Sequence, residues 1–244
     1  MTSFTVWCLA IWVAVMQNAK REVTIRDVEV NSVIDFLKNA ETNGQIGVTV
    51  KTSIKASVIL MLYNAVESTM TTCLERLHEI LIRQNLMFDN CNDNLKQLVA
   101  VYYENAKEKS SDIHNRAPHI LSFYEYVKNS RSFDLSYMEL SKYYSLYSGN
   151  LDSRSIISVL NKYGIDFDEK ATELKTIKDA RNKLAHGEQS FEEIGRDLSI
   201  QQLQHMKEQA FEYLIKIINV IEDYIEGEHF KPPNLTTDNV NSDC

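Results

Sequence analysis

Apolar residues recur at three- and four-residue steps along much of the chain, the period of helices that bury one face. Between Ser53 and Asn85 the series runs Val58, Leu62, Val66, Met70, Cys73, Leu77, Ile80 and Leu81, which predicts one long core helix. The stretch Asp93 to Tyr103 repeats the pattern more briefly, and Pro118 is expected to mark a break before another helix. Arg131 to Gly149 is rich in Tyr and Ser, has no clear period, and reads as an irregular connection with room for a short strand or helix. In Asn150-Leu151-Asp152-Ser153, either Asp152 or Ser153 is placed to cap a helix through Ile156, Ile157 and Leu160 that Gly164 stops. A further helix is expected from Asp168 to His186, with Leu174, Ile177, Ala180 and Leu184 on one face and Gly187 as its end. The last helix is the most clearly announced. Ser199 and Gln202 have capping-box spacing, and Leu203, Met206, Ala210, Leu214, Ile217, Ile221 and Tyr224 follow.

Phe4 to Met16 is a short apolar run containing Trp7 and Trp12. No Lys or Arg precedes it, and it falls short of the roughly 20 residues that span a bilayer. Residues 1–50 are therefore read as a helical extension or packing segment, with no membrane expected and with Met16 as an alternative start. A membrane-associated accessory protein is the other reading of this run, and it requires the segment to partition into lipid. Residues 51–228 form the main domain in this reading, and residues 229–244, polar with a Pro232-Pro233 pair, form a disordered tail.

Composition sharpens the class. With 244 residues, 44% hydrophobic and 25% charged, the chain can bury the core of one domain with a modest appendage. Its 7 Gly and 3 Pro are too few for a turn-rich β-sandwich, so an all-α bundle of long antiparallel helices is expected. A net charge of −8 excludes a broad basic surface for duplex nucleic acid, though not a small positive pocket. Cys8, Cys73, Cys91 and Cys244 have neither metal-ligand spacing nor a disulfide framework; they read as reduced thiols of a cytoplasmic protein.

The chain has no phosphate-cradling Gly loop, no His-Glu-x-x-His and no Gly-x-Ser-x-Gly, so no cofactor or metal is expected. What remains is Arg181 with His186: a permanent cation and a residue type that exchanges protons near neutral pH. Such a pair suits RNA cleavage by its own 2′-hydroxyl, the imidazole moving a proton and the guanidinium holding the phosphate. Five helical positions turn about 140° past a full circle, so Arg181 and His186 do not share a face. Asn182 and His186 do, and Asp179 lies on the same side. One chain thus offers a one-sided set, which a symmetric dimer would complete. The plain alternative is electrostatic, because Arg and His near a helix C-terminus favour the negative end of its dipole without any further purpose.

Arg181-Asn182-Lys183-Leu184-Ala185-His186-Gly187-Glu188 closely resembles the Arg-polar-x-x-x-His signature of the HEPN superfamily. Two further segments resemble the stand-alone HEPN nucleases of the MAE and RiboL-PSP type: Leu62-Tyr63-Asn64-Ala65-Val66-Glu67, and Asn150-Leu151-Asp152-Ser153 leading to Tyr163-Gly164-Ile165-Asp166. The resemblance spans Ser53 to Glu226 and implies a helical bundle, a homodimer whose facing motif helices form the cleft, and metal-independent endoribonuclease activity. It also implies a toxin–antitoxin, phage-defence or restriction setting, with a cognate antitoxin or regulatory partner. Carried over, Arg181 and His186 match the catalytic positions and Asn182 the polar orienting position. Glu67 is a supporting candidate, placed to orient Arg181 or His186 across the bundle, and Asp179 and Lys183 are further ones. Other superfamily members only bind RNA or a partner protein, which keeps a non-catalytic module as the rival reading. His78, His114, His119, His205 and His229 lack partners at ligand spacing and are expected at the surface. Tyr143, Tyr144 and Tyr147 are expected to pack rather than to form a base-stacking platform.

Overall fold

The computed structural model describes residues 3–44, 46–105, 113–147 and 149–233, with the side chains of residues 3–15 and 113–116 left aside. Among the described residues every regular element is a helix, and the one strand-like pairing is an antiparallel bridge between Met87 and Ser132. Helices α1 (Ser3–Asn43), α2 (Val48–Arg83) and α9 (Ile200–Glu226) pack on one another along the bundle. Helices α3 (Asp93–Asn105), α4 (Ile113–Lys128), α5 (Tyr137–Tyr143) and α6 (Ser153–Asn161) lie between them in sequence. Helices α7 (Thr172–His186) and α8 (Phe191–Arg196) both rest on α2.

The burial pattern of α2 explains its central place. Adjacent positions are buried in pairs, Val58 with Ile59, Leu62 with Tyr63, Ala65 with Val66, Cys73 with Leu74 and Leu77 with His78, recurring at the helical period. A stripe this wide must face several neighbours at once. Each large apolar side chain so buried contributes roughly 1.5–3 kcal/mol against the entropy of ordering the chain.

Among the described side chains, α1 contributes Met16, Ala19, Val23, Val30, Ile34 and Leu37 to this core. Lys20 pairs with Glu222, and Lys207 reaches Asp27 at 2.9 Å, so α1 is clipped to α9 at two levels. The packing proposed for the side chains of Phe4 to Val15 lies outside the described residues. Among the described residues no helix is long and apolar enough to cross a membrane.

The structure departs from the sequence reading in several places. Pro118 sits inside α4 rather than ahead of it. It lies little more than a turn from the helix start, where a missing N–H and a ring clash disturb only the turn before it. Helix α7 begins at Thr172, not Asp168, because the preceding segment is used otherwise: the Glu169 carbonyl accepts from Tyr213 Oη at 3.1 Å and its carboxylate pairs with Lys216 at 2.7 Å. Residues 229–233, assigned to the tail, pack onto the bundle. Phe230 is fully buried, its carbonyl accepts from the Asn92 N–H at 2.8 Å, and Asn92 Nδ2 donates to the His229 carbonyl at 2.8 Å. Residues 234–244 lie outside the described residues.

Helix α8 anchors the end of the motif helix to the start of α2. Ser190 and Glu193 form a reciprocal capping box, and Lys55 Nζ donates to the Leu198 carbonyl at 2.8 Å. Gly195 is buried so closely against α2 that a Cβ there would stand 1.9 Å from the Thr52 carbonyl oxygen. Gly195→Ala must push the two helices apart, and the expected cost is about 3 kcal/mol, the upper range for overpacking. Chemical denaturation reads it, and a midpoint equal to that of the parent protein refutes this account of the contact.

Candidate functional site

Helix α7 ends at His186 because Gly187 takes the left-handed conformation, φ +69°, and turns the chain. The Gly187 and Glu188 N–H groups close on the carbonyls of Leu184 and Lys183. Arg181, Asn182, Lys183 and His186 therefore occupy the last turns, where positive side chains meet the negative end of the helix dipole.

Arg181 is half-buried, and its guanidinium carbon lies 4.4 Å from the centroid of the Tyr63 ring on α2. Its Nη1 donates to Asn182 Oδ1 at 3.0 Å. Among the described residues Arg181 forms no ion pair, so the cation is oriented but not neutralised. A guanidinium carries five N–H donors, and this arrangement occupies one of them.

Tyr63 is itself fixed. Its hydroxyl donates to the Gly149 carbonyl and accepts from the Leu151 N–H at 3.3 Å. Burial raises the phenol above its ordinary value; the Leu151 N–H and Arg181 oppose this, and Glu67 adds to it. The loop that Tyr63 holds runs on to Asp152, which caps α6 by accepting from the Ser155 N–H at 3.0 Å and pairs with Lys178 of α7 at 2.7 Å. Burial alone would raise the Asp152 carboxyl, but Lys178 and Ser155 outweigh it and hold the group below the usual aspartate value. Between these anchored residues, Asn150 Oδ1 accepts from Asn182 Nδ2 at 2.7 Å.

The His186 side chain is exposed and makes no hydrogen bond among the described residues, and Lys183 is exposed beside it. No direct bond joins His186 to Arg181, as their spacing on the helix requires. Asp179 is engaged on its own helix, with Lys175 at 2.8 Å and Lys178 at 3.7 Å. The Lys175 hydrogen bond foremost holds its carboxyl below the ordinary value. Glu67 is half-buried one turn from Tyr63, with a carboxylate oxygen 3.6 Å from where a Cβ on Gly149 would lie. Among the described residues it forms no ion pair with Arg181 or His186, so the direct orienting contact foreseen for it is not made. The structure thus brings together Arg181, Asn182, Tyr63 and Asn150, with Glu67 flanking Tyr63, and leaves His186 and Lys183 facing outward.

Asn150 escaped the sequence reading as a site residue, because a contact to Asn182 across 32 positions leaves no local pattern. His78 was misplaced. It is fully buried, with Nδ1 donating to the Leu135 carbonyl at 2.6 Å and Nε2 accepting from Tyr163 Oη at 2.8 Å. His205 and His229 are exposed and His119 is half-buried, while the side chain of His114 lies outside the described residues. Among the tyrosines, Tyr147 Oη bonds Thr71 Oγ1 at 2.8 Å and the Tyr144 ring lies under Lys162 at 4.9 Å. Cys73 and Cys91 are buried free thiols whose ionisation burial pushes up to about 12, and Cys8 and Cys244 lie outside the described side chains. Among the described residues no group of three or more His, Cys, Asp or Glu gathers where it would hold a metal ion.

Comparison with known proteins adds one positive finding. The model of the MAE_28990-like HEPN family matches residues 15–230, which include α1 from its first described side chains, the motif helix and the packed Phe230. No curated protein and no solved structure gives a significant match. Most of the chain lies within that family match, and the helical bundle agrees with it: the chain belongs to the MAE_28990-like HEPN family.

Proposed function

We propose that the protein is an endoribonuclease that cleaves RNA without a metal, at a cleft formed by two copies of the chain. The observation that supports this best is Arg181, a half-buried guanidinium oriented by Tyr63 and Asn182 and, among the described residues, without a carboxylate partner. Such a group is ready to take a phosphate through the remaining donors of its planar fork. In the reaction the 2′ oxygen bonds to phosphorus and the bond from phosphorus to the 5′ oxygen breaks. His186 of one copy accepts the 2′-hydroxyl proton, and the same residue of the second copy gives a proton to the leaving 5′ oxygen. Arg181 holds the charge that grows on the phosphoryl oxygens, Asn182 orients Arg181, and Lys183 adds a solvated positive charge.

Two copies are invoked because a single α7 presents its imidazole and its guanidinium on different sides. A free ribonuclease is hazardous to the cell that makes it, so a cytoplasmic toxin–antitoxin, phage-defence or restriction role with a restraining partner follows from this reading. The rival, a HEPN module that binds RNA or a partner protein without cleaving, is favoured by the lack, among the described residues, of a hydrogen bond that would fix the tautomer of His186.

Incubation of the purified full chain with total RNA and with a defined tRNA in EDTA separates the two. Fragments ending in 2′,3′-cyclic phosphate and 5′-hydroxyl are expected. Fragments with 3′-hydroxyl ends, or intact RNA with the dimer confirmed, count against the nuclease.

A further inference from the structure

Asn182 stands between two polar groups whose roles its amide cannot exchange. A guanidinium only donates, so Asn182 must turn Oδ1 toward Arg181 Nη1, and Nδ2 is thereby committed to an acceptor. That acceptor is Asn150 Oδ1, at 2.7 Å. Asn150 is exposed, yet its backbone is held on both sides. Gly149 accepts from the Tyr63 hydroxyl, Leu151 is buried and donates to the same hydroxyl, and Asp152 is tied to Lys178 and to the start of α6. The segment from 149 to 152 is thus pinned to α2, α6 and α7 around one outward-facing amide.

We propose that Asn150 is a positioning residue that sets the direction of the Arg181 guanidinium through Asn182. This inference rests on the reading of Arg181 as the phosphate clamp. Without Asn150, the Asn182 side chain keeps its bond to the guanidinium but loses the anchor on the 149–152 segment, and the edge of Arg181 that it holds becomes mobile above the Tyr63 ring. The ring fixes the plane of the guanidinium, and the Asn150–Asn182 relay fixes its rotation in that plane. Positioning of this kind matters because a charge aimed at a transition state acts only when its geometry is set beforehand.

The test follows rotation about the Nε–Cζ bond of Arg181 by nitrogen NMR in the full chain, the signal being assigned by its loss in Arg181→Lys. Asn150→Leu and Asn150→Ala remove the acceptor at an exposed site. Asn150→Asp keeps an oxygen that accepts from Asn182. Rotation about three- to tenfold faster than in the parent protein is expected for the first two, and near-parental rotation for Asn150→Asp, with unchanged helical circular dichroism throughout. Equal rotation in the parent protein and Asn150→Leu overturns the proposal, as does an Asn150→Asp chain as mobile as Asn150→Leu. RNA cleavage by the same set gives a second readout, with kcat in Asn150→Leu down about tenfold and KM little changed. If the parent protein cleaves no RNA, the nuclease reading fails, while the rotation measurement still decides whether Asn150 positions Arg181.

Discussion

Replacement of His186 by Ala is expected to lower kcat/KM for RNA cleavage by about 10³-fold or more while leaving the fold unchanged, because proton transfer by one positioned side chain is worth about 10²–10⁴-fold. Two features of the structure make this a clean test. The imidazole is exposed and makes no hydrogen bond among the described residues, so its removal leaves no buried group unsatisfied and no cavity. The turn after it is set by Gly187 and the carbonyls of Lys183 and Leu184, none of which uses the His186 side chain. In a cleft made from two copies, the one substitution removes both the base and the acid. A thermal midpoint equal to that of the parent protein, together with loss of cleavage, is the expected pair of results. Arg181→Lys should behave similarly, since an ammonium keeps the charge but loses the planar fork and the fit over Tyr63. Undiminished cleavage by His186→Ala removes this residue from the chemistry and with it the mechanism argued above.

The outline of the bundle was readable in the chain because the burial that builds it is periodic. The residues that predict α2 and α9 are the ones those helices bury, and the Ser199–Gln202 capping box closes where its spacing places it. The motif helix was located for the same reason, its Leu174 and Ile177 on the core side and Gly187 at its end. What sequence spacing could not convey is which side chains meet across elements. Glu67 looks poised to reach Arg181 from α2, but the Tyr63 ring takes that position, and Asn150 rather than an acid holds Asn182. Helix α8 did leave a local trace, the Ser190 and Glu193 spacing, in a stretch too short to show a period. His78 is the opposite case: Leu74, Leu77 and Leu81 put its position on the buried side of α2, and the absence of metal-ligand spacing around it carries no information about burial.

Acidification is expected to destabilise the protein through His78, and His78→Ala is expected to cost about 4 kcal/mol at neutral pH. The ring is enclosed by Phe133, Tyr137 and Tyr163, and burial holds its pKa down to about 4, only partly opposed by the bond to the Leu135 carbonyl. That carbonyl can only accept, so Nδ1 carries the hydrogen and Nε2 must accept from Tyr163 Oη. Protonating Nε2 would turn that bond against itself, since both groups would then point hydrogens at each other unless the tyrosine rotates. The folded-state value lies below the ordinary 6.5, so the unfolded chain takes up a proton first as pH falls. Stability is therefore full above about pH 6.5 and declines toward about pH 4, by about 2 kcal/mol at pH 5 and about 3 kcal/mol over the whole window. Removing the ring leaves Tyr163 Oη and the Leu135 carbonyl without their partner and opens a cavity between three aromatic rings, which is the source of the larger cost. Urea denaturation at about pH 7 and about pH 5 reads both effects: the parent protein should lose stability between them, and His78→Ala, less stable at each, should lose distinctly less. An equal loss in the two proteins would place the acid sensitivity on other groups and leave His78 as packing alone.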